Sequence, residues 1–202
     1  MKSRNAPEFI LASGSPRRKD LLNLMGLKFK IKKPQVNEKQ KKQENPIDFV
    51  KRTALEKASS IVNNKTKNKI ILAADTIVVA PNKKRVLGKP RSKNEAISMI
   101  RALSGATHQV MTGYCIVFVD HTGKMKSYKR AVKTFVKFRK LNLREIKNYV
   151  DYGESMDKAG AYAAQGKAME FIDGVRGSYT NVIGLPLSQL ADDLKEKFNV
   201  VL

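Results

Sequence analysis

Three segments combine residue types that do chemistry. In Ser13-Gly14-Ser15-Pro16-Arg17-Arg18, a cap-and-proline helix start stands beside two guanidinium groups. Free N–H groups at a helix N-terminus attract anions, and the helix dipole adds to that pull. Gly14 allows a tight turn, and arginine forks match phosphate oxygens. The segment reads as a polyphosphate cradle, or else as an ordinary capped helix start with two solvated arginines. It lacks the G-x-x-x-x-G-K-[ST] spacing of a Walker loop. The second segment is Ala73-Ala74-Asp75-Thr76. A carboxylate at the end of an apolar strand is costly unless it is paired or binds a cation, and such strand ends line clefts in α/β sheets. Asp75 is thus a candidate to hold a divalent metal, to take a proton from water, or both. The other reading is a turn residue capping the next segment; the strand formers on both sides favour function. The third is Asp157-Lys158-Ala159-Gly160-Ala161-Tyr162-Ala163-Ala164-Gln165-Gly166, where small residues and glycines bracket Gln165. Its amide offers the donor and acceptor that base-edge recognition needs; a small-residue packing turn is the plainer alternative. Lys57, Lys89 in Leu87-Gly88-Lys89-Pro90, and Glu38 in a polar loop carry no signal alone among 40 Lys and Arg, and read as solvated side chains. His108 is a candidate general base, but a loop histidine satisfying local hydrogen bonds is the simpler reading.

The elements that must position these groups follow from pattern. Phe9 to Ala12 is a buried strand running into the Ser15-Pro16 helix start, whose apolar face is Leu21, Leu22, Leu24 and Met25. Phe29 to Ile31 reads as a second strand, and Lys32 to Glu44 as a loop. Asn45-Pro46 opens a helix carrying Ile47, Val50, Ala54, Ala58 and Ile61 at helical spacing. Two apolar runs, Ile70 to Ala74 and Ile77 to Val79, flank Asp75-Thr76; the first has the all-apolar character of a central strand. Pro81 to Lys84 reads as a turn. Ser92 and Glu95 form a capping box for a helix ending before Gly105. His108 to Val119 and Lys124 to Phe138 are β-rich and joined by a hairpin at Asp120-His121-Thr122-Gly123. Leu143 to Tyr152 is an amphipathic helix closed by Gly153. Asp157 to Gly184 reads as irregular structure around a site, and Pro186 to Phe198 as a last helix. The interleaving predicts an α/β fold, residues 1–202 forming a single domain with a mixed, twisted central sheet flanked by helices.

Composition sets the outer bounds. The chain has 202 residues, 42% of them hydrophobic and 29% charged, which suits a folded globular protein. A single cysteine, Cys115, allows no intrachain disulfide, and two histidines allow no histidine-rich metal centre. No run approaches the ~20 apolar residues that span a bilayer. The N-terminus lacks the apolar core of a signal peptide. A soluble, cytoplasmic protein with no membrane partner is the expectation. The formal charge of +22 raises the prior for an anionic partner. The lysines are scattered, however, aromatic content is 7% and there is no Trp. No nucleic-acid reading element is visible, so no specific nucleic acid is expected.

Taken together, Ser13-Gly14-Ser15-Pro16-Arg17-Arg18, Ala74-Asp75-Thr76, Leu87-Gly88-Lys89-Pro90, Ser104-Gly105-Ala106-Thr107-His108, Asp157-Lys158-Ala159-Gly160 and Asn181-Val182-Ile183-Gly184-Leu185-Pro186 resemble, in this order, the motifs of Maf proteins, nucleotide pyrophosphatases also called septum-formation inhibitors. The resemblance covers nearly the whole chain. It implies a fold like that of inosine-triphosphate pyrophosphatases, usually in a homodimer. It also implies hydrolysis of a nucleoside triphosphate to monophosphate and pyrophosphate with Mg²⁺ or Mn²⁺. On the matching positions it implies Asp75 as the base that activates water, and Ser13, Arg17 and Arg18 on the phosphates. Lys57, Lys89 and Lys158 match polar substrate-site positions, and Asp75 with Glu38 would meet the metal. The segment Ala159 to Gly166 looks like the branch acting on dTTP and UTP, in which Thr76 and Gln165 are associated with base selection. The sequence departs from the family pattern at Asn37-Glu38, where an aspartate usually precedes the glutamate. The rival class is a basic nucleic-acid-binding or septum-regulating protein without catalysis.

Overall fold

The structure is a computed structural model that describes residues 6–81 and 85–200. Residues 82–84 of the expected Pro81–Lys84 turn lie outside the described residues. In chain order the elements are β1 (Glu8–Leu11), α1 (Pro16–Leu24), β2 (Phe29–Ile31), α2 (Pro46–Ser59), β3 (Lys69–Val79), β4 (Val86–Leu87), α3 (Lys93–Leu103), β5 (Thr107–Val119), β6 (Met125–Phe138), α4 (Leu143–Tyr152), β7 (Ile172–Arg176), α5 (Tyr179–Ile183) and α6 (Leu187–Phe198). Two short 3₁₀ turns, Ala159–Ala161 and Lys167–Phe171, precede β7.

Among the described residues the strands form a seven-stranded sheet in the order β2-β1-β3-β5-β6-β7, with β4 pairing β3. It is mixed. β1 pairs in parallel with β2 and β3, whereas β4 on β3 and β7 on β6 are antiparallel. The β5–β6 hairpin turns where Asp120 Oδ1 accepts from Thr122 N–H and Lys124 N–H, at 2.8 and 2.9 Å.

Two compact units are distinguishable. Unit 1 holds residues 1–75, 113–131 and 184–202 and contains α1, α2 and α6. One of its cores packs Ala54 and Ala58 of α2 against Ile10 and Ala12 at β1, Ile71 and Ala73 of β3, and Cys115, Val117 and Val119 of β5, every second residue along the chain. At Gly113 the strand comes so close to α2 that an added Cβ would stand 2.8 Å from Lys51 N. Unit 2 holds residues 76–112 and 132–183. Its core joins α3 (Ala96, Met99, Ile100, Leu103) and α4 (Ile146, Tyr149, Val150) to Phe138, Tyr162 and Phe171. Each of its fully buried Leu, Ile and Phe side chains contributes about 1.5–3 kcal/mol.

The structure revises four local expectations. The two apolar runs around Asp75 are one continuous strand of 11 residues, so Asp75 lies within β3 rather than at a strand end. Asp157 to Gly184 is not wholly irregular, since it contains β7 and α5; β7 gains its regularity from pairing with β6, a partner distant in sequence. Ser15 makes no side-chain cap bond; instead Ser13 Oγ accepts from Ser15 N–H at 3.2 Å. The Ser92 capping box is half made. Ser92 Oγ accepts from Glu95 N–H, but Glu95 reaches Arg91 N–H instead of closing on Ser92. A full box does form at Asn142 and Glu145, heading α4.

Candidate active site

In unit 1, β1 delivers the chain to Ser13, and α1 then starts at Pro16, as the cap-and-proline pattern requires. Arg18 lies in the first turn of α1 and is buried. Its Nε donates to Gly184 O at 2.9 Å and its Nη1 to Ser13 Oγ at 3.3 Å. One guanidinium thus ties the Ser13 loop to the start of the C-terminal segment. Burial pulls the Arg18 pKa below its ordinary value, while the charges of Asp75 and Glu38 act in the opposite sense. Arg17 is half-buried beside it. The aliphatic stem of Lys33 passes Gly14, with Cγ 3.5 Å from where a Cβ would stand.

From α2, Lys57 reaches the same strand that carries Asp75. Lys57 Nζ donates to Asp75 Oδ1 at 2.7 Å and lies 3.0 Å from Glu38 Oε1. Lys57 and Asp75 are 5% and 6% exposed, so this is a buried ion pair, whereas Glu38 is half exposed. The reading of Lys57 as a solvated lysine is therefore wrong. The helix turns it inward, and the carboxylate within β3 provides the counter-charge that allows its burial. Unit 1 in this way holds six sequence candidates, Ser13, Arg17, Arg18, Glu38, Lys57 and Asp75. The fixed charges of Arg18, Glu38, Lys57 and Asp75 balance, and Arg17 adds one positive charge.

Unit 2 holds the other four. Thr76 Oγ1 is 2.9 Å from Thr112 Oγ1, and Thr112 donates to Asn181 O at 3.0 Å, so the Thr76 hydroxyl donates to Thr112. Asn181 is itself fixed through Nδ2 to Val110 O and Thr134 Oγ1. Gly160 N–H donates to Gly88 O at 3.0 Å, which joins the backbone next to Lys89 to that next to Lys158. Gly160 has φ +69° and stands against Val78, where a Cβ would come 2.9 Å from Cγ2, so both backbone and space call for glycine. Lys158 pairs with Asp157; Lys89 and Gln165 are exposed.

His108 is not a loop residue. It lies in β5, fully buried, with Nε2 2.9 Å from Tyr162 Oη and its ring edge-on to Phe138 and Tyr162. Burial lowers its pKa to about 4. It packs the core of unit 2 and offers no base to a substrate. Sequence reasoning passed over Thr112 and Lys33, because nothing in a local window marks a strand threonine or one lysine among many.

Unit 1 is thus part of an α/β fold that buries an aspartate against a lysine, within electrostatic reach of an arginine at a helix start. The chain belongs to the Maf-like protein family, whose sequence model matches residues 8–197. Similar proteins include a dTTP/UTP pyrophosphatase of Bacillus cereus, 43% identical over 98% of this chain and 94% of that protein. Another is a dTTP/UTP pyrophosphatase of Photorhabdus laumondii, 43% identical over 95% of this chain and 94% of its own length. Among solved structures, a nucleoside-triphosphatase / dITP/XTP pyrophosphatase of Mycobacterium abscessus is a distant likeness, with 11% identity, a TM-score of 0.43 and 94% of each chain covered.

Proposed function

We propose that the protein is a nucleoside triphosphate pyrophosphatase that hydrolyses dTTP and UTP to the nucleoside monophosphate and pyrophosphate. The observation that carries this reading is the buried Lys57–Asp75 pair in the same unit as Ser13 and Arg18. The full-length likeness to dTTP/UTP pyrophosphatases supports the choice of substrate.

In this reading Ser13, Arg17 and Arg18 grip phosphate oxygens. Lys57, Lys89 and Lys158 add charge that offsets the triphosphate, which is most of what phosphoryl-transfer sites do. Asp75 accepts a proton from water. The water oxygen bonds to the α-phosphorus as the bond to the α–β bridging oxygen breaks, and the electron pair leaves with pyrophosphate. Thr76 and Gln165 select the base.

A divalent metal suits the donor set. Asp75 and Glu38 already converge on one cation, the Lys57 ammonium, and hard ions such as Mg²⁺ take one or two carboxylates plus substrate phosphates. Among the described residues no cluster of three or more His, Cys, Asp or Glu ligands forms, so the remaining ligands would come from phosphate and water. Bound there, Mg²⁺ or Mn²⁺ would polarise the α-phosphate and acidify a water. No helix among the described residues is long and apolar enough to cross a membrane. A cytoplasmic location, where nucleotides are met, and a homodimer, as the resemblance implies, belong to the same proposal.

A panel of nucleoside triphosphates with Mg²⁺, Mn²⁺ or Co²⁺, scored for pyrophosphate, tests the reading. Preferred turnover of dTTP and UTP supports it, and release of orthophosphate instead of pyrophosphate overturns it.

A further inference from the structure

Gln165 stands on a turn that is held at three points. The turn closes through Gly166 N–H to Ala163 O, 3.0 Å. Its entry is fixed by the buried Tyr149 hydroxyl, which accepts from Ala163 N–H at 3.0 Å, and its middle by the Tyr179 hydroxyl on Ala164 O at 3.4 Å. Its exit is fixed by Glu154, whose Oε2 accepts from Lys167 N–H at 2.9 Å. The Glu154 carboxyl occupies the space a side chain at position 166 would need: an added Cβ would stand 2.6 Å from Glu154 Cδ and Oε1. Gly166 has φ −112°, which any residue adopts, so an alanine here would not strain the backbone but would push that carboxyl aside. The Lys167 ammonium, 4.8 Å from the Tyr152 ring centroid, holds the same two stretches together from outside.

We propose that Glu154 is a positioning residue for base selection: its carboxyl, seated over Gly166 and bonded to Lys167 N–H, sets the angle at which Gln165 meets the pyrimidine edge. The proposal rests on the base-selecting role given to Gln165 above. The contact needs an acceptor oxygen of this shape rather than a charge, and an amide oxygen supplies one.

The test is kcat and KM for dTTP, UTP, dCTP and dGTP in the wild type, Glu154→Ala, Glu154→Gln, Gly166→Ala and the double variant Glu154→Ala/Gly166→Ala, with melting temperatures alongside. Small misplacements of a substrate-contacting group cost on the order of ten- to a hundredfold. Glu154→Ala is therefore expected to cut the dTTP/dGTP ratio of kcat/KM by about tenfold or more, chiefly through the KM for dTTP. Glu154→Gln should keep the ratio. Gly166→Ala should reproduce the loss, and the double variant should be no worse than either single one. If Gly166→Ala does not fold, the Ala and Gln variants at position 154 decide. An unchanged ratio in Glu154→Ala overturns the inference and leaves the pyrophosphatase reading intact. So does a uniform loss across all four nucleotides that tracks a lowered melting temperature. A wild type with no pyrimidine preference overturns the role of Gln165, and this inference with it.

Discussion

Lys57 Nζ and Asp75 Oδ1 lie 2.7 Å apart, both buried, and the same ammonium is 3.0 Å from Glu38. Removing one member of such a pair leaves a buried charge with no partner, which costs about 3–5 kcal/mol. Lys57→Met should therefore lower stability by an amount in that range, although methionine fits the space. Urea unfolding of the variant measures it; a loss below about 1 kcal/mol, the size of a surface ion pair, would show that the pair is solvated.

Arg18 spends two different nitrogens on Gly184 O and Ser13 Oγ. A lysine has one nitrogen and no planar fork. Arg18→Lys should keep the charge, lose one of the two bonds and raise the KM for dTTP by about tenfold. Equal KM values in steady-state assays would mean that the fork does not shape the phosphate loop.

Gly113 lets β5 pass close against α2, the helix that carries Lys57. Gly113→Ala forces the helix outward, with an overpacking cost of about 1–3 kcal/mol. Activity should fall by more than the folded fraction does, because the same shift lengthens the Lys57–Asp75 contact. Turnover normalised to folded protein by circular dichroism checks this, and a normalised rate equal to wild type argues against it.

His108 makes stability depend on pH. The unfolded chain protonates this imidazole near 6.5, whereas burial delays protonation in the folded protein to about 4. The unfolded state thus binds more protons between those values, and stability should fall as pH drops from about 6.5 to 4, by about 3 kcal/mol in all. Glu8, held near 2 by Lys30 and Lys69, and Glu44, held near 2 by Arg52, lose their contributions in a lower window that opens below about 4.5, where the last part of the His108 effect falls. His108→Gln should flatten only the upper window in urea midpoints measured against pH. A wild-type profile flat from 6.5 to 4.5 would contradict the buried neutral imidazole.

Elements set by neighbouring residues were legible in the sequence. Phe29–Ile31 and Leu143–Tyr152 coincide with β2 and α4, since an apolar–polar–apolar alternation and a helical stripe closed by Gly153 are local signals. The Ser13–Arg18 loop and Asp75 stood out for the same reason. Lys57 did not, because what distinguishes it from a solvated lysine is a carboxylate 18 residues away. In the sequence Asp75 reads as a strand end because an isolated acid breaks an apolar run; the ammonium from α2 is what lets β3 continue through it. Strand β7 was invisible for a similar reason, its partner β6 lying far back in the chain.

The most direct test of Asp75 as the general base is pyrophosphate release from dTTP by Asp75→Asn, compared with wild type under saturating Mg²⁺ and after melting curves establish that both are folded. A positioned general base contributes about 10²–10⁴-fold. The account predicts a loss of at least a hundredfold in kcat with the variant still folded, and turnover within a few-fold of wild type would contradict it.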